Sequence, residues 1–373
     1  MADDAWLTLL QAAQFSPLSW LEVLKLRGSA EAVLAEPAHT LIGGGLPPEA
    51  VAKLKTPDQA LLTRWRRWLE GPERTLVTYG SPDYPPRLAE LATAPLALWL
   101  QGSQRALLSA PQLAIVGSRS PTTSGRDTAL QFAKYLSARG LTITSGLATG
   151  IDGASHRGAV GEIGGTVAVL GSGLDVIFPR SHDKLAAEIA ARGLLVSEYG
   201  PGVEPQKFFF PQRNRIIAGL SLGTLVVEAT RRSGSLITAR CATENGREVF
   251  AIPGSIHNPL ARGCHWLIRQ GAKLVEEAAD ILVELAPLLS QEMLPAAPLP
   301  AAAERADSAW PNDDPSYRKL LSVLDFSPTS IADLGLRSRL TTAELSSMLL
   351  VLELEGLVEA LPGGRYSRLG KRV

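Results

Sequence analysis

Between Leu113 and about residue 287 the sequence alternates short, wholly apolar runs with amphipathic ones, and this rhythm restricts the fold more than any other feature. LAIVG, LTITSG, GTVAVLGSG, LLVSEY, TLVVEA and EVFAIPG read as buried strands. RDTALQFAKYLSARG, IDGASHRGAV, HDKLAAEIAARG, RNRIIAGLS and SLITARCATENG lie between them with the spacing of helices. A strand apolar on both faces has to be covered on both, so the alternation implies a parallel sheet sandwiched by helices. Right-handed crossovers then give a doubly wound, Rossmann-like α/β domain, closed by HWLIRQGA, KLVE and AADILVEL.

The flanks obey other rules. Residues 1–72 read as short helices: Trp6, Leu9, Leu10 and Ala13 share one helical face, and LLTRWRRWLEG sets an apolar stripe against basic residues. The GGGLPP turn between helices contains no lysine or arginine, so an ordinary interhelical turn is preferred over a phosphate contact. TLVTY, a Gly80-Ser81-Pro82-Asp83 turn and PLALWLQG form a bridge or edge extension, which places the main domain at 73–287. Alanine, proline and scattered charge make 288–315 a linker. Residues 316–373 read as helix, helix-turn-helix and two strands about Pro362-Gly363-Gly364, a winged-helix pattern. Thr341 or Thr342 caps the second helix of the pair, with Glu344 in its first turn.

The strand-to-helix junctions carry the chemistry. A helix start presents backbone N–H groups and a positive dipole end, and four such junctions on one sheet edge form an extended anion-binding groove. In GSRSPTTSG, Gly117 turns the chain, Ser118, Ser120, Thr122, Thr123 and Ser124 offer hydroxyls, and Arg119 offers a planar fork for phosphate. A phosphate site is preferred there over an unliganded capped turn. Neither GxGxxG nor a Walker A loop is present. SGLATGIDGASHRGA is a second glycine-rich junction. Its Asp152 and His156 stand four apart, and a capping aspartate with a partly exposed histidine is preferred over an acid–base pair. QKFFFPQRNR interleaves Lys207, Arg213 and Arg215 with Phe208, Phe209 and Phe210, and Asn214 can read a base edge or cap a helix. Cations beside flat rings suit an unpaired strand. At least one phenylalanine must face inward, and Phe210 is kept with Lys207 at the ligand. In RRSGSLITA, Gly234, Ser235 and Thr238 are either phosphate donors or a capped helix start with solvated Arg231 and Arg232; Glu228 is read as a brace for those arginines.

Lysine plus arginine and aspartate plus glutamate both total 37, so the nucleic-acid surface has to be a local basic groove on a neutral chain. The would-be recognition helix TTAELSSMLLVLELEG holds glutamates and no lysine or arginine. A duplex groove should repel it, so the module is expected to contact protein, or DNA through Arg365, Arg368, Lys371 and Arg372 alone. Cys241 and Cys264 have neither zinc-site nor disulfide spacing and are read as small core residues of a reducing compartment. The acidic start and the lack of a long apolar run lead to the expectation of a cytoplasmic protein without a membrane segment. An enzyme reading competes: SLGTLVVEA partly echoes nucleoside monophosphate phosphoribohydrolases, with Glu228 as its acid.

VGSRSPTTSG, SGLATGIDGASHRGA, AVLGSGLDVIFP, FPQRNRIIAGLS, EATRRSGSLITA and AIPGS, in that order, resemble the motifs of the DprA (Smf) family of DNA-processing proteins. The resemblance covers Leu113 to about Leu285, and DYPPRLAELATAPLALWLQG extends it. It implies a sterile-alpha-motif-like N-terminal domain and a winged-helix C-terminal domain. It also implies a homodimeric, non-catalytic protein of natural transformation, with no cofactor or metal, that protects incoming single-stranded DNA and helps load the RecA recombinase. The family's pocket arginine, lysine and phenylalanine map onto Arg119, Lys207 and Phe210, with Gly117 and Ser118 in the same loop.

Overall fold

The computed structural model describes residues 4–13, 17–292, 315–324 and 326–369. Most of the linker read from sequence, and Lys371 and Arg372, fall outside them.

Six helices come first: α1 (Asp4–Ala13), α2 (Pro17–Arg27), α3 (Ala30–Ala35), α4 (Ala38–Gly43), α5 (Pro48–Lys55) and α6 (Gln59–Leu69). Local chemistry sets their ends. Ser29 accepts from the Ala32 N–H, and Asp58 accepts from Ala60 and Leu61. The GGGLPP segment is a turn that ends α4, reverses at Gly45 with φ +93°, and starts α5 on a proline. The apolar stripe of α6 does not close a separate core. Trp65 and Trp68 pack with Leu7 against Trp99, Leu170 and Leu195 of the sheet. The Trp65 and Trp99 rings meet edge to face at 5.2 Å, and the Trp65 indole donates to Pro201 O at 3.0 Å.

The sheet has nine strands: β1 (Arg74–Thr78), β2 (Ala97–Gln101), β3 (Gln112–Val116), β4 (Thr142–Ser145), β5 (Thr166–Leu170), β6 (Leu194–Ser197), β7 (Gly223–Val226), β8 (Glu248–Ala251) and β9 (Lys273–Leu274). The helices among them are α7 (Pro86–Ala89), α8 (Thr123–Ser137), α9 (Ile151–Ala159), α10 (Asp183–Arg192), α11 (Phe209–Leu220), α12 (Ser235–Glu244), α13 (Arg262–Arg269) and α14 (Ala278–Glu292). Strand order is β1-β2-β6-β5-β4-β3-β7-β8-β9. All neighbours from β6 to β9 are parallel, while β1 and β2 join antiparallel at the β6 edge. The segment read as a bridge or edge extension is therefore an edge extension. Alternate residues of β3 serve opposite cores: Leu113 and Ile115 on one face, Ala114 and Val116 on the other. From β3 the chain winds outward through β4, β5 and β6, then crosses back to β7 on the other side of β3. The order reverses between β3 and β7, and in open α/β sheets ligands bind beyond the strand ends at such a reversal.

A second unit follows: α15 (Pro315–Val323), β10 (Thr329–Ser330), α16 (Ile331–Ser338), α17 (Thr342–Leu354), β11 (Val358–Leu361) and β12 (Arg365–Arg368). The strands form an antiparallel sheet of order β10-β12-β11, as a winged helix requires. Thr341 is the cap of α17, in a reciprocal capping box with Glu344. Leu320, Leu334, Leu345, Leu349 and Val358 form its own core.

Candidate nucleic-acid interface

The loop after β3 is built against the loop before α9. The Ile151 N–H donates to Ser118 O at 3.1 Å, and Thr149 Oγ1 donates to Arg119 O at 3.2 Å. Gly150 sits at φ +82°, and a Cβ there would stand 2.3 Å from Ser118 O. The Ser118 hydroxyl accepts from the Ser120 N–H at 3.1 Å and closes the turn from inside. The second glycine-rich junction is thus mainly a clamp for the first. The Gly153 N–H is likewise spent, on Ala148 O.

Arg119 emerges from this turn with its guanidinium 5.6 Å from the centre of the Phe210 ring. Phe210 also packs on Phe178, with centroids 5.4 Å apart. Gly171, just after β5, leaves the Phe210 ring its space, since a Cβ there would stand 3.1 Å from it. Around these rings opens a hollow of about 720 Å³, lined by Gly117, Ser118, Arg119, Lys207, Phe210, Asn214, Gly234, Ser235 and Thr238 among others. It lies past the ends of β3 and β7, at the reversal of strand order. Lys207 is exposed beside it, and Asn214 Nδ2 donates to Gly234 O at 3.3 Å, tying α11 to the start of α12. The Ser233 and Ser235 hydroxyls meet at 2.7 Å where α12 begins, and the α12 dipole points its positive end into the hollow.

Two arginines read as ligand contacts do other work. Arg213 borders the hollow but is buried, and its Nη1 donates to Gly146 O at 2.6 Å and to Val169 O. Burial lowers its pKa to about 10, with the Asp152 carboxylate opposing, so it stays a cation at neutral pH. Asp152 is also buried; it accepts from the Gly146 and Ala148 N–H groups, and burial raises its pKa against the pull of Arg213. Arg215 is absent from this hollow. It holds both oxygens of Glu198 at 2.5 Å on the other side of α11, facing a separate cavity lined by Trp65, Trp99 and Tyr199.

Helix phase explains the split. The sequence suggests a helix opening near Arg213, but α11 begins at Phe209, with Pro211 tolerated in the first turn. Phe210, Asn214 and Ile217 then fall on one face, toward the hollow, and Phe208, Gln212 and Arg215 fall on another. Phe209 faces inward and packs on Tyr199 at 4.1 Å between centroids.

Three other expectations need correction. His156 is fully buried, not partly exposed. The Leu147 N–H donates to its Nε2, so the proton sits on Nδ1 and is given to Thr166 Oγ1 at 2.7 Å. Burial drives its pKa down to about 3, and it is neutral at physiological pH. The Glu228 carboxyl group does not brace Arg231 or Arg232. It lies against Gly125 in the first turn of α8, where a Cβ would meet it at 2.5 Å. Of the cysteines, Cys264 is core, with burial raising its thiol pKa to about 12, but Cys241 is only half-buried. Sequence reasoning missed Phe178 as part of the ring cluster; its signal was the aromatic residue closing the AVLGSGLDVIFP motif.

Residues 75–286 match the model of the family described as DNA recombination-mediator protein A, and residues 296–364 match its winged-helix domain. The chain belongs to this family. Among its DprA/Smf relatives, protein Smf of Escherichia coli is 46% identical over 81% of this chain and 79% of its own length. DNA processing protein DprA of Streptococcus pneumoniae is 49% identical over 54% of this chain and 71% of its own. The X-ray structure of the S. pneumoniae DprA superposes with a TM-score of 0.67 at 38% identity, covering 76% of this chain and 98% of that one. DNA processing protein A of Helicobacter pylori, whose structure addresses its single-stranded DNA binding mode, superposes at 0.52 with 28% identity, covering 57% and 96%.

Proposed function

We propose that this chain binds single-stranded DNA in the hollow at the β3–β7 reversal and acts there as a recombination mediator without catalysing a reaction. The observation that carries the reading is the stacking of Arg119 on Phe210, beside Lys207 and the positive end of α12. A guanidinium and an ammonium track phosphates, and the ring offers a stacking face worth about 1–3 kcal/mol per base whatever the base. The fold family and the H. pylori relative support the same ligand. Gly117 and Ser118 line the phosphate turn, and Asn214, Gly234, Ser235 and Thr238 form the opposite wall. We further infer that the protein shields incoming DNA from nucleases, hands it to a RecA-class recombinase, acts as a homodimer and works in the cytoplasm. No helix among the described residues is long and apolar enough to cross a membrane.

The phosphoribohydrolase alternative is disfavoured because Glu228 is turned to Gly125 and does not line the hollow. Fluorescence anisotropy on single- and double-stranded oligomers tests the proposal. Wild type should prefer the single strand, and log affinity should fall against log salt by about 0.7 for each phosphate neutralised. Arg119→Ala, Lys207→Ala and Phe210→Ala should each weaken binding. Unchanged affinity in all three, or turnover of a nucleoside monophosphate lost in Glu228→Gln, would reject it.

A further inference from the structure

Beside the hollow that holds Arg119 lies a second one of about 360 Å³, lined by Arg231, Arg232, Ser233, Gly234, Leu236, Ile237, Arg240 and Trp266. The two share Ser233, Gly234 and Ile237 and so adjoin at the start of α12. Three arginines in so small a space repel one another, and no described carboxylate forms an ion pair with any of them. All three are exposed, on a chain whose net charge is zero. The concentration is therefore local, and it adjoins the first hollow. The Trp266 side chain is 36% exposed at the same place, and Ile237 is 39% exposed beside it.

We propose that this second hollow is a continuation subsite for the same DNA strand, with Arg231, Arg232 and Arg240 neutralising its phosphates and Trp266 offering a face to a base. The inference rests on the reading of the first hollow as a single-strand site. It adds that the bound strand leaves that hollow across the mouth of α12 toward α13. Cations around an exposed ring suit an unpaired, flexible strand. A rigid duplex, with its bases stacked inward, has no base to lay on Trp266.

Strand length separates the two claims. Anisotropy titrations with oligothymidylates of about 4 and about 16 nucleotides, near the lower and upper sizes of single-strand sites, provide the test. In the full-length protein, Arg231→Ala/Arg240→Ala should weaken the longer oligomer at least about tenfold, leave the shorter one unchanged, and lower the salt slope for the longer one by about 1.4. Trp266→Ala should weaken the longer oligomer only, and Trp266→Phe should restore part of the loss. Thermal melting of each variant checks that the fold is retained, and Arg231→Gln/Arg240→Gln replaces the alanine pair if that pair is unstable. Equal affinity and slope for the longer oligomer in the arginine variants would overturn the subsite. So would a change in sedimentation without a change in DNA affinity, which would make the patch a contact between proteins. Arg119→Ala without effect on either length would instead remove the reading of the first hollow.

Discussion

Arg119 and Arg213 look alike in the sequence, each beside small or polar neighbours in a motif at a junction, yet they act at different levels. Arg119 is exposed and stacked on a ring, whereas Arg213 is buried and pins the Gly146 carbonyl after β4 and the Val169 carbonyl of β5. Arg213→Ala should cost about 3 kcal/mol of stability, because Gly146 O, Val169 O and the Asp152 carboxylate lose their cation together. Urea denaturation reads that loss, and Arg119→Ala should leave the same midpoint in place. His156 gives a pH signature. Its folded pKa of about 3 lies below its ordinary value of 6.5, so the unfolded chain takes up a proton first as pH falls. The stability is complete above 6.5 and is lost progressively down to about 3. Between about pH 7 and pH 5 this one residue should remove about 2 kcal/mol, and His156→Gln should flatten that part of the profile in denaturant titrations.

For α11 the informative quantity is phase. The RNR tripeptide announces two basic residues, but positions 213 and 215 of one helix point in different directions, and only the starting residue tells which way. That start was hidden because Pro211 reads as punctuation in a sequence, although a helix accepts proline in its first turn. The aromatic triplet was more legible: three adjacent rings cannot share one face, so one inward and one at the ligand follow from geometry. Exposure alone would choose Phe208, which is 51% exposed. Phase chooses Phe210. Phe210→Ala should therefore weaken single-strand binding by about 1–3 kcal/mol, and Phe208→Ala should not, in the same anisotropy assay. The glycines of SGLATG were legible as close approaches, but whether a ligand or another loop comes close is a long-range fact that no local spacing encodes.

At the scale of the molecule, the parallel sheet could be read from the rhythm of apolar runs because two-sided burial leaves no other arrangement. The antiparallel joining of β1 and β2 could not, since their pairing depends on which edge of the seven parallel strands stays open. The winged-helix unit has the three helices and two wing strands read from sequence, with Thr341 as the cap, and adds a short strand, β10, that the sequence reading lacked. Its α17 bears glutamates and no cation, so the unit is expected to contact protein, or duplex DNA only through the wing and the tail beyond it. Arg365 is exposed there, while Arg368 lies over Phe326 at 5.5 Å and reaches Leu321 O. Arg365→Glu should lower duplex affinity and leave single-strand affinity intact; an unchanged duplex titration would assign the wing to protein contacts.

The turn from Gly117 to Ser120 is held by hydrogen bonds to its own protein neighbours. A turn braced in this way should need little rearrangement to receive a strand, and the ordering that accompanies association should fall on the nucleotides. Between two polymers of equal length, the one whose bases are freer of each other in solution should arrive with less to undo. Affinity should then rank homopolymers by their own stiffness more than by the identity of their bases.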